Sequence, residues 1–367
     1  MRKTIIFLMC MGITWSVNCS IKKPELVSIT KNKDAINEIK FNDFTLTLDL
    51  VLGKGKDKNN KFKSPSSLAV DSAGNIYIAD MENNRIQIFS DNGEYIRSIS
   101  GKSAVKIKLF SPGILAIDND DNLYIAERDK RKRRVLIISK EGKLINSFKT
   151  PLYPYKMDVY KDNIYIGEKG GSQEYNIFVC SKKGKIVAAM EKSTNMKYFD
   201  RSVTFTIDKE GNIYTANRFL PKVKKYFPYG KRPIEFEYEP SIKNKRDLEE
   251  HYVTDVIMDP NVRGKGTVAM EFKEYPICFD IAIDNSGIVN LLVASSHNKE
   301  EDSTLYRFDQ QGQFIEKVDL PFSCGKIYID SFNNFYFIST IVSRGVFKFK
   351  PALINKVNGS FIHKRYF

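Results

Sequence analysis

Histidine and tryptophan are nearly missing from this chain, with three His and one Trp among 367 residues. His251 and His297 have no neighbouring cysteines, so they do not make a zinc site. No Gly-x-Ser-x-Gly nucleophile signature occurs. Lys169-Gly170-Gly171-Ser172 is followed by no helix that would make it a phosphate-cradling loop, and Gly264-Lys265-Gly266-Thr267 is as weak a match. Acidic residues are in deficit, 44 Asp and Glu against 58 Lys and Arg, which leaves a net charge of +14. That balance favours adhesion to anionic surfaces without choosing one. With 42% hydrophobic and 28% charged residues, wholesale disorder is excluded.

Long apolar runs are also missing, with one exception at the start of the chain. Thr4 to Trp15 (TIIFLMCMGITW), behind Arg2 and Lys3, falls short of the roughly 20 residues a membrane-spanning helix needs and suits the apolar part of an export signal. No Ala-x-Ala-like cleavage site follows it. Ser16-Val17-Asn18-Cys19 follows instead, with the Cys at the distance where a lipoprotein signal is cut and its Cys acylated. Leu and Ala or Gly are usual where Ser16 and Asn18 stand, so the segment resembles a relaxed lipobox. The expectation is a signal peptide over 1–18, acylation of Cys19, and attachment to a cell-envelope membrane through that lipid anchor alone. Secretion or a periplasmic location is the alternative. Residues 19–40 are polar and Lys-rich and read as a tether.

Internal repetition decides the fold. Ser64 to Ser100 contains four alternating strands (SSLAVD, IYIAD, RIQIFS and YIRSIS) joined by the turns SAGN and DNG and one short loop. The turn-plus-strand core returns as AGNIYIAD, DDNLYIAE, KDNIYIGE, EGNIYTAN, a degenerate SGIVNLLVAS and FNNFYFIS. The recurring Asn stands at 75, 122, 163, 212 and 334, with Ile288 in the fifth unit. The steps are 47, 41, 49, 76 and 46 residues, so an insertion of about 30 residues precedes unit five. Four-stranded meanders cannot bury both faces alone, and radial packing solves this. The expected fold is therefore all-β, a six-bladed β-propeller of four-stranded antiparallel blades over 41–352, with an insertion at about 240–270 and a tail over 353–367. Phe44 to Leu52 is expected to complete blade six and close the ring. Ser360 to Phe367 is the rival for that place.

These motifs resemble the NHL repeat. Blade one carries its Pro65, Asp71, Gly74, Asn75, Tyr77, Ala79, Asp80, Asn84, Arg85 and Ile86. Blade two keeps Pro112, Asp118, Asn122, Tyr124 and Ala126, with Glu127 and a basic run in place of the Asn-x-Arg-Ile element. The resemblance spans about 60–350 and implies the fold, which hosts enzymes, receptors and scaffolds alike.

In such blades the loops after strand two and the connections between blades emerge on one face, which is where a propeller of this kind binds. Three features fall there. Arg128, Lys130, Arg131, Lys132, Arg133 and Arg134 form a basic loop suited to phosphate, sulfate or acidic protein surfaces, or else a solvated decoration. Nucleic acid is disfavoured by the export signal and by the lack of interleaved aromatics. The residues ending strand two, Asp80, Glu127, Glu168 and Asn217, continued by Ser295 and Ser339, are candidate ligands for a hard cation such as Ca²⁺. Gluconolactonase-like propellers hold a metal with acidic and Asn residues around the axis. The plainer reading is that each group bonds its own loop backbone. The insertion is either a cap over the channel or a passive excursion, with helical spacing between Lys243 and Met258.

Beyond Cys10 and Cys19, three cysteines remain. Cys180 reads as core, while Cys278 and Cys324 occupy equivalent positions in adjacent blades, at or beyond disulfide reach, and are expected to be free buried thiols. The leading functional expectation is a monomeric, cofactor-free binding or scaffold module for a protein or anionic glycan. A metal-dependent hydrolase or lyase and a purely structural envelope protein are the alternatives.

Overall fold

Asp71 explains why one short sequence recurs. Its Oδ1 accepts the backbone N–H groups of Ala73 (3.1 Å) and Asn75 (2.8 Å), and its Oδ2 accepts the Asn75 side-chain amide (2.9 Å) and the Tyr77 hydroxyl (3.1 Å). The turn passes through Gly74 at φ +81°, a conformation that costs glycine nothing. The same four-way bracket forms at Asp118 with Asn122 and Tyr124, and at Asp330 with Asn334 and Tyr336. In the degenerate fifth unit the Ile288 backbone N–H still reaches Asp284 Oδ1 at 3.0 Å, so the turn survives without its Asn.

In a computed structural model of the chain, the described residues are 37–54, 57–102, 105–129, 133–168, 174–192, 203–218, 220–228, 231–238, 278–294, 303–339, 345–357 and 360–363. They form six antiparallel sheets whose first strands touch one another in order around an axis. The first strands are Pro65–Val70, Pro112–Ile117, Pro154–Tyr160, Val203–Ile207, Cys278–Ile283 and Lys326–Ile329. The core lies between blades. Ile114, Tyr124, Ala126 and Val135 of blade two meet Leu152, Met157, Ile166 and Phe178 of blade three. Each such buried aliphatic or aromatic side chain contributes about 1.5–3 kcal/mol. Among the described residues no helix is long and apolar enough to cross a membrane.

The ring closes as the alternation of Phe44–Leu52 predicts. That strand pairs antiparallel with Gly345–Val357, from Phe44 opposite Leu353 to Leu52 opposite Val346. Two buried cations fix the seam. Lys348, 1% exposed, donates to the Asp91 carbonyl at 2.7 Å and pairs with Asp49 at 3.3 Å. Arg307 pairs with Glu316 and, at 3.2 Å, with Asp43, while its guanidinium lies 4.8 Å from the centre of the Phe44 ring. Two boundaries differ from expectation. Glu38–Lys40 already pairs with Thr45 to Thr47, inside the expected tether. The expected tail contributes strand: Gly345–Val357 runs past its partner, and Ser360–His363 folds back on its end, covering an edge that would otherwise be open. The 240–270 insertion with His251, together with Ser295 and His297, lies outside the described residues.

Candidate functional site

Asp80 is fully buried and saturated. It accepts the Lys63 N–H (2.9 Å), the Ser64 N–H (3.2 Å), Arg85 Nε (2.9 Å) and the Asn83 amide (2.7 Å). Glu127 repeats the arrangement with the Phe110 N–H (2.7 Å) and Arg134 Nε (2.7 Å). Burial pushes the Glu127 carboxyl up, and the Arg134 hydrogen bond opposes it. Arg134 also donates to the Lys108 carbonyl at 2.7 Å, as Arg85 does to the Lys61 carbonyl at 3.1 Å. Arg134 is therefore the counterpart of Arg85, so the arginine of the replaced Asn-x-Arg-Ile element has its equivalent in blade two, with Val135 in the place of Ile86. A loop longer by two residues hides it in the sequence.

The other strand-two ends do not join these two. Glu168 is buried, its carboxyl pushed up by burial against the Tyr153 N–H and the Arg133 charge, and its Oε2 has no hydrogen-bond partner. Asn217 accepts the Leu220 N–H at 2.8 Å. The structure thus keeps Asp80 and Glu127 inside their own blades. Among the described residues no group of three or more His, Cys, Asp or Glu is placed to hold a metal ion.

The basic run divides in the same way. Arg134 is bound to Glu127, and Arg133 donates to the Pro151 carbonyl at 3.1 Å and lies over the Tyr153 ring at 5.8 Å. Arg128 lies over the same ring at 5.4 Å, its aliphatic carbons against Gly113, where a Cβ would collide with them. Lys130, Arg131 and Lys132 lie outside the described residues.

A different set of groups converges on the propeller axis. One position of the first strand, opposite Ala79 in blade one, is occupied around the ring by Ser67, Ile114, Lys156, Thr204, Asp280 and Lys326. It lies near the start of each first strand, on the face where the blade connections and strand-two loops emerge. All but Thr204 line an axial cavity of about 210 Å³. Lys156 Nζ reaches Asp280 Oδ1 at 2.8 Å, and the Thr204 hydroxyl donates to the same oxygen at 2.8 Å. The Ile327 N–H approaches Asp280 Oδ2 at 3.3 Å. Arg218, just after strand two of blade four, and Lys326 both lie over the Tyr155 ring, at 5.7 and 5.6 Å. The buried Tyr155 hydroxyl donates to the Val203 carbonyl.

The charges here are unequal. Burial alone would raise the Asp280 carboxyl, but the Lys156 and Lys326 ammonium groups and the Lys156 and Thr204 hydrogen bonds hold it below the usual carboxylate range. Burial pushes Lys326 down to about 8, helped by repulsion from Lys156, Arg218 and Arg128 and opposed by Asp280. Two residues further along the blade-three strand, burial lifts Asp158 to about 6 against the pull of Lys156. Lys156 and Lys326 thus line a cavity whose lining carboxylates are Asp280 and Asp158, with Arg218 beside Lys326 over the Tyr155 ring. A readable signal did exist: Lys and Asp stand at a first-strand position that holds Ser or Thr in two other blades.

Cys180, Cys278 and Cys324 are free and buried, and burial pushes the last two thiols up to about 12. They are packing groups.

Residues 62–89, covering three strands of blade one, match the NHL repeat family. A search of curated proteins returns no match. Among solved structures, a DUF4221 family member from Bacteroides vulgatus superposes with a TM-score of 0.56 at 11% identity, over 86% of this chain and 99% of that one. Virginiamycin B lyase from Staphylococcus aureus gives 0.50 at 14% identity, over 84% and 87%. A gluconolactonase from Xanthomonas campestris gives 0.50 at 9% identity, over 86% and 91%. At these identities the likeness is one of fold alone.

Proposed function

We propose that this six-bladed β-propeller carrying the NHL repeat is an exported, lipid-anchored binding module whose loop-rich face takes an anionic partner, an acidic protein surface or an anionic glycan. One observation carries the reading: Lys156 and Lys326 line the axial cavity near the start of the first strands, and Arg218 lies beside Lys326 over the Tyr155 ring. The net charge of +14 acts in the same direction at long range. The binding reading is preferred to a metal-dependent hydrolase because arginine and backbone donors already engage Asp80 and Glu127.

The test is binding of the full chain to an acidic polymer, polygalacturonate, across a salt series. Changing Lys130, Arg131 and Lys132 together to Ser should weaken binding and flatten its salt dependence. Unchanged binding would remove that loop from the interface. Anchoring is tested separately, since Cys19→Ser should shift the protein from the membrane fraction to the soluble one.

A further inference from the structure

The axial cavity asks for a ligand more specific than a charged surface. Its volume of about 210 Å³ is below the roughly 300–1,000 Å³ of drug-sized pockets, so it admits one small molecule rather than a length of polymer. Its two ends differ chemically. At the loop-rich end Lys156 and Lys326 line the cavity, with Arg218 beside Lys326 over the Tyr155 ring, and Asp280 is already bonded to Lys156 and Thr204. Lys326 has no carboxylate within ion-pair distance among the described residues.

One layer deeper, two residues along each strand or about 7 Å, the lining includes Asp158, Thr206 and Tyr328, with Ala116 and Ala282 at the corresponding positions of two other blades. The first three carry hydroxyl and carboxylate groups that pair with alcohols rather than anions. Asp158 keeps acceptor capacity beyond the Val159 and Ile207 N–H groups it receives. Cations at one end and alcohol-pairing groups at the other match a molecule that is carboxylate at one end and polyol at the other.

We propose that the axial cavity binds a single sugar acid of hexose size, its carboxylate at Lys326 and its hydroxyls toward Asp158 and Thr206. The inference rests on the reading of the loop-rich face as an anion-binding surface, and it adds the class of ligand and the place where that ligand ends. A polymer bound on that face would then be held by one terminal acidic residue inserted into the axis.

Calorimetric titration of the full chain with D-glucuronate, D-glucose, inorganic phosphate and polygalacturonate tests it. Glucuronate should bind at least tenfold more tightly than glucose or phosphate. Lys326→Met should lose at least tenfold for glucuronate, and Lys326→Arg should keep most of the affinity. Lys326→Met removes a repelled, buried charge, so it should melt no lower than the parent protein. Asp158→Asn offers a second check, weakening glucuronate without creating phosphate binding. Equal affinity for glucose and glucuronate, or for phosphate and glucuronate, would overturn the sugar-acid assignment. Polygalacturonate binding without glucuronate binding overturns the cavity and leaves the face reading standing, whereas binding of neither removes both.

Discussion

Lys156 of blade three reaches Asp280 of blade five across the channel, passing over blade four, with Nζ 2.8 Å from Oδ1. Asp280 is 1% exposed, so it depends on that partner more than a surface carboxylate would. Removing one member of such a pair leaves a buried charge unanswered, whereas removing both is often neutral. Lys156→Met should therefore cost about 3 kcal/mol, and Lys156→Met with Asp280→Leu should recover most of the loss. Urea denaturation of the two variants decides this. Equal destabilisation by single and double changes would show that the pair is not coupled.

Arg134 and Lys132 belong to one basic run, yet the structure gives Arg134 a buried partner in Glu127. Arg134→Ser should destabilise the protein by about 2–3 kcal/mol, since it strands a buried carboxylate. Lys132→Ser should stay within about 0.5 kcal/mol. Thermal melting of the two variants side by side is sufficient, and similar losses in both would contradict the split.

Asp158 has a pH signature. Burial raises its carboxyl to about 6, so between the unfolded value near 3.9 and that figure the folded state binds more protons than the unfolded chain. Its contribution is fully present below about pH 4 and is lost as pH rises through 6. Because the group borders a cavity open to water, the effect is discounted to about 1–2 kcal/mol. Asp158→Asn should therefore gain stability relative to the parent above pH 6 and not at pH 4. Denaturation midpoints at the two pH values measure it.

Lys326 sets the opposite limit. With Lys156, Arg218 and Arg128 repelling it, Asp280 attracting it and Tyr155 beneath it, the group loses its proton near pH 8. Anion affinity should fall as pH rises from 7 to 9 in the parent and stay nearly level in Lys326→Arg, whose guanidinium keeps its charge. A parallel decline in both would place the titration elsewhere.

The architecture was legible because its signals are local. The Asp71–Asn75–Tyr77 bracket lies within seven residues, and it recurs in full at Asp118 and Asp330 and in part at Asp208 and Asp284. The seam was legible for a related reason, since Phe44–Leu52 alternates and precedes the first complete blade. The axial group was not. Lys156 and Asp280 are 124 positions apart and meet only because three blades curve around one axis. The Arg134–Glu127 pair was not legible for want of register, because a loop two residues longer hides the match of Arg134 to Arg85.

The seam has a consequence for synthesis. Phe44–Leu52 leaves the ribosome among the first parts of the chain, but its partner around Val346 follows roughly 290 residues later. At about 5–20 residues per second, some 15–60 seconds pass before the two can meet. Five blades can assemble in that interval while an alternating apolar strand, paired locally only with Glu38–Lys40, waits with its other edge open. Any chaperone that meets the nascent chain has that one nine-residue segment to shield longest.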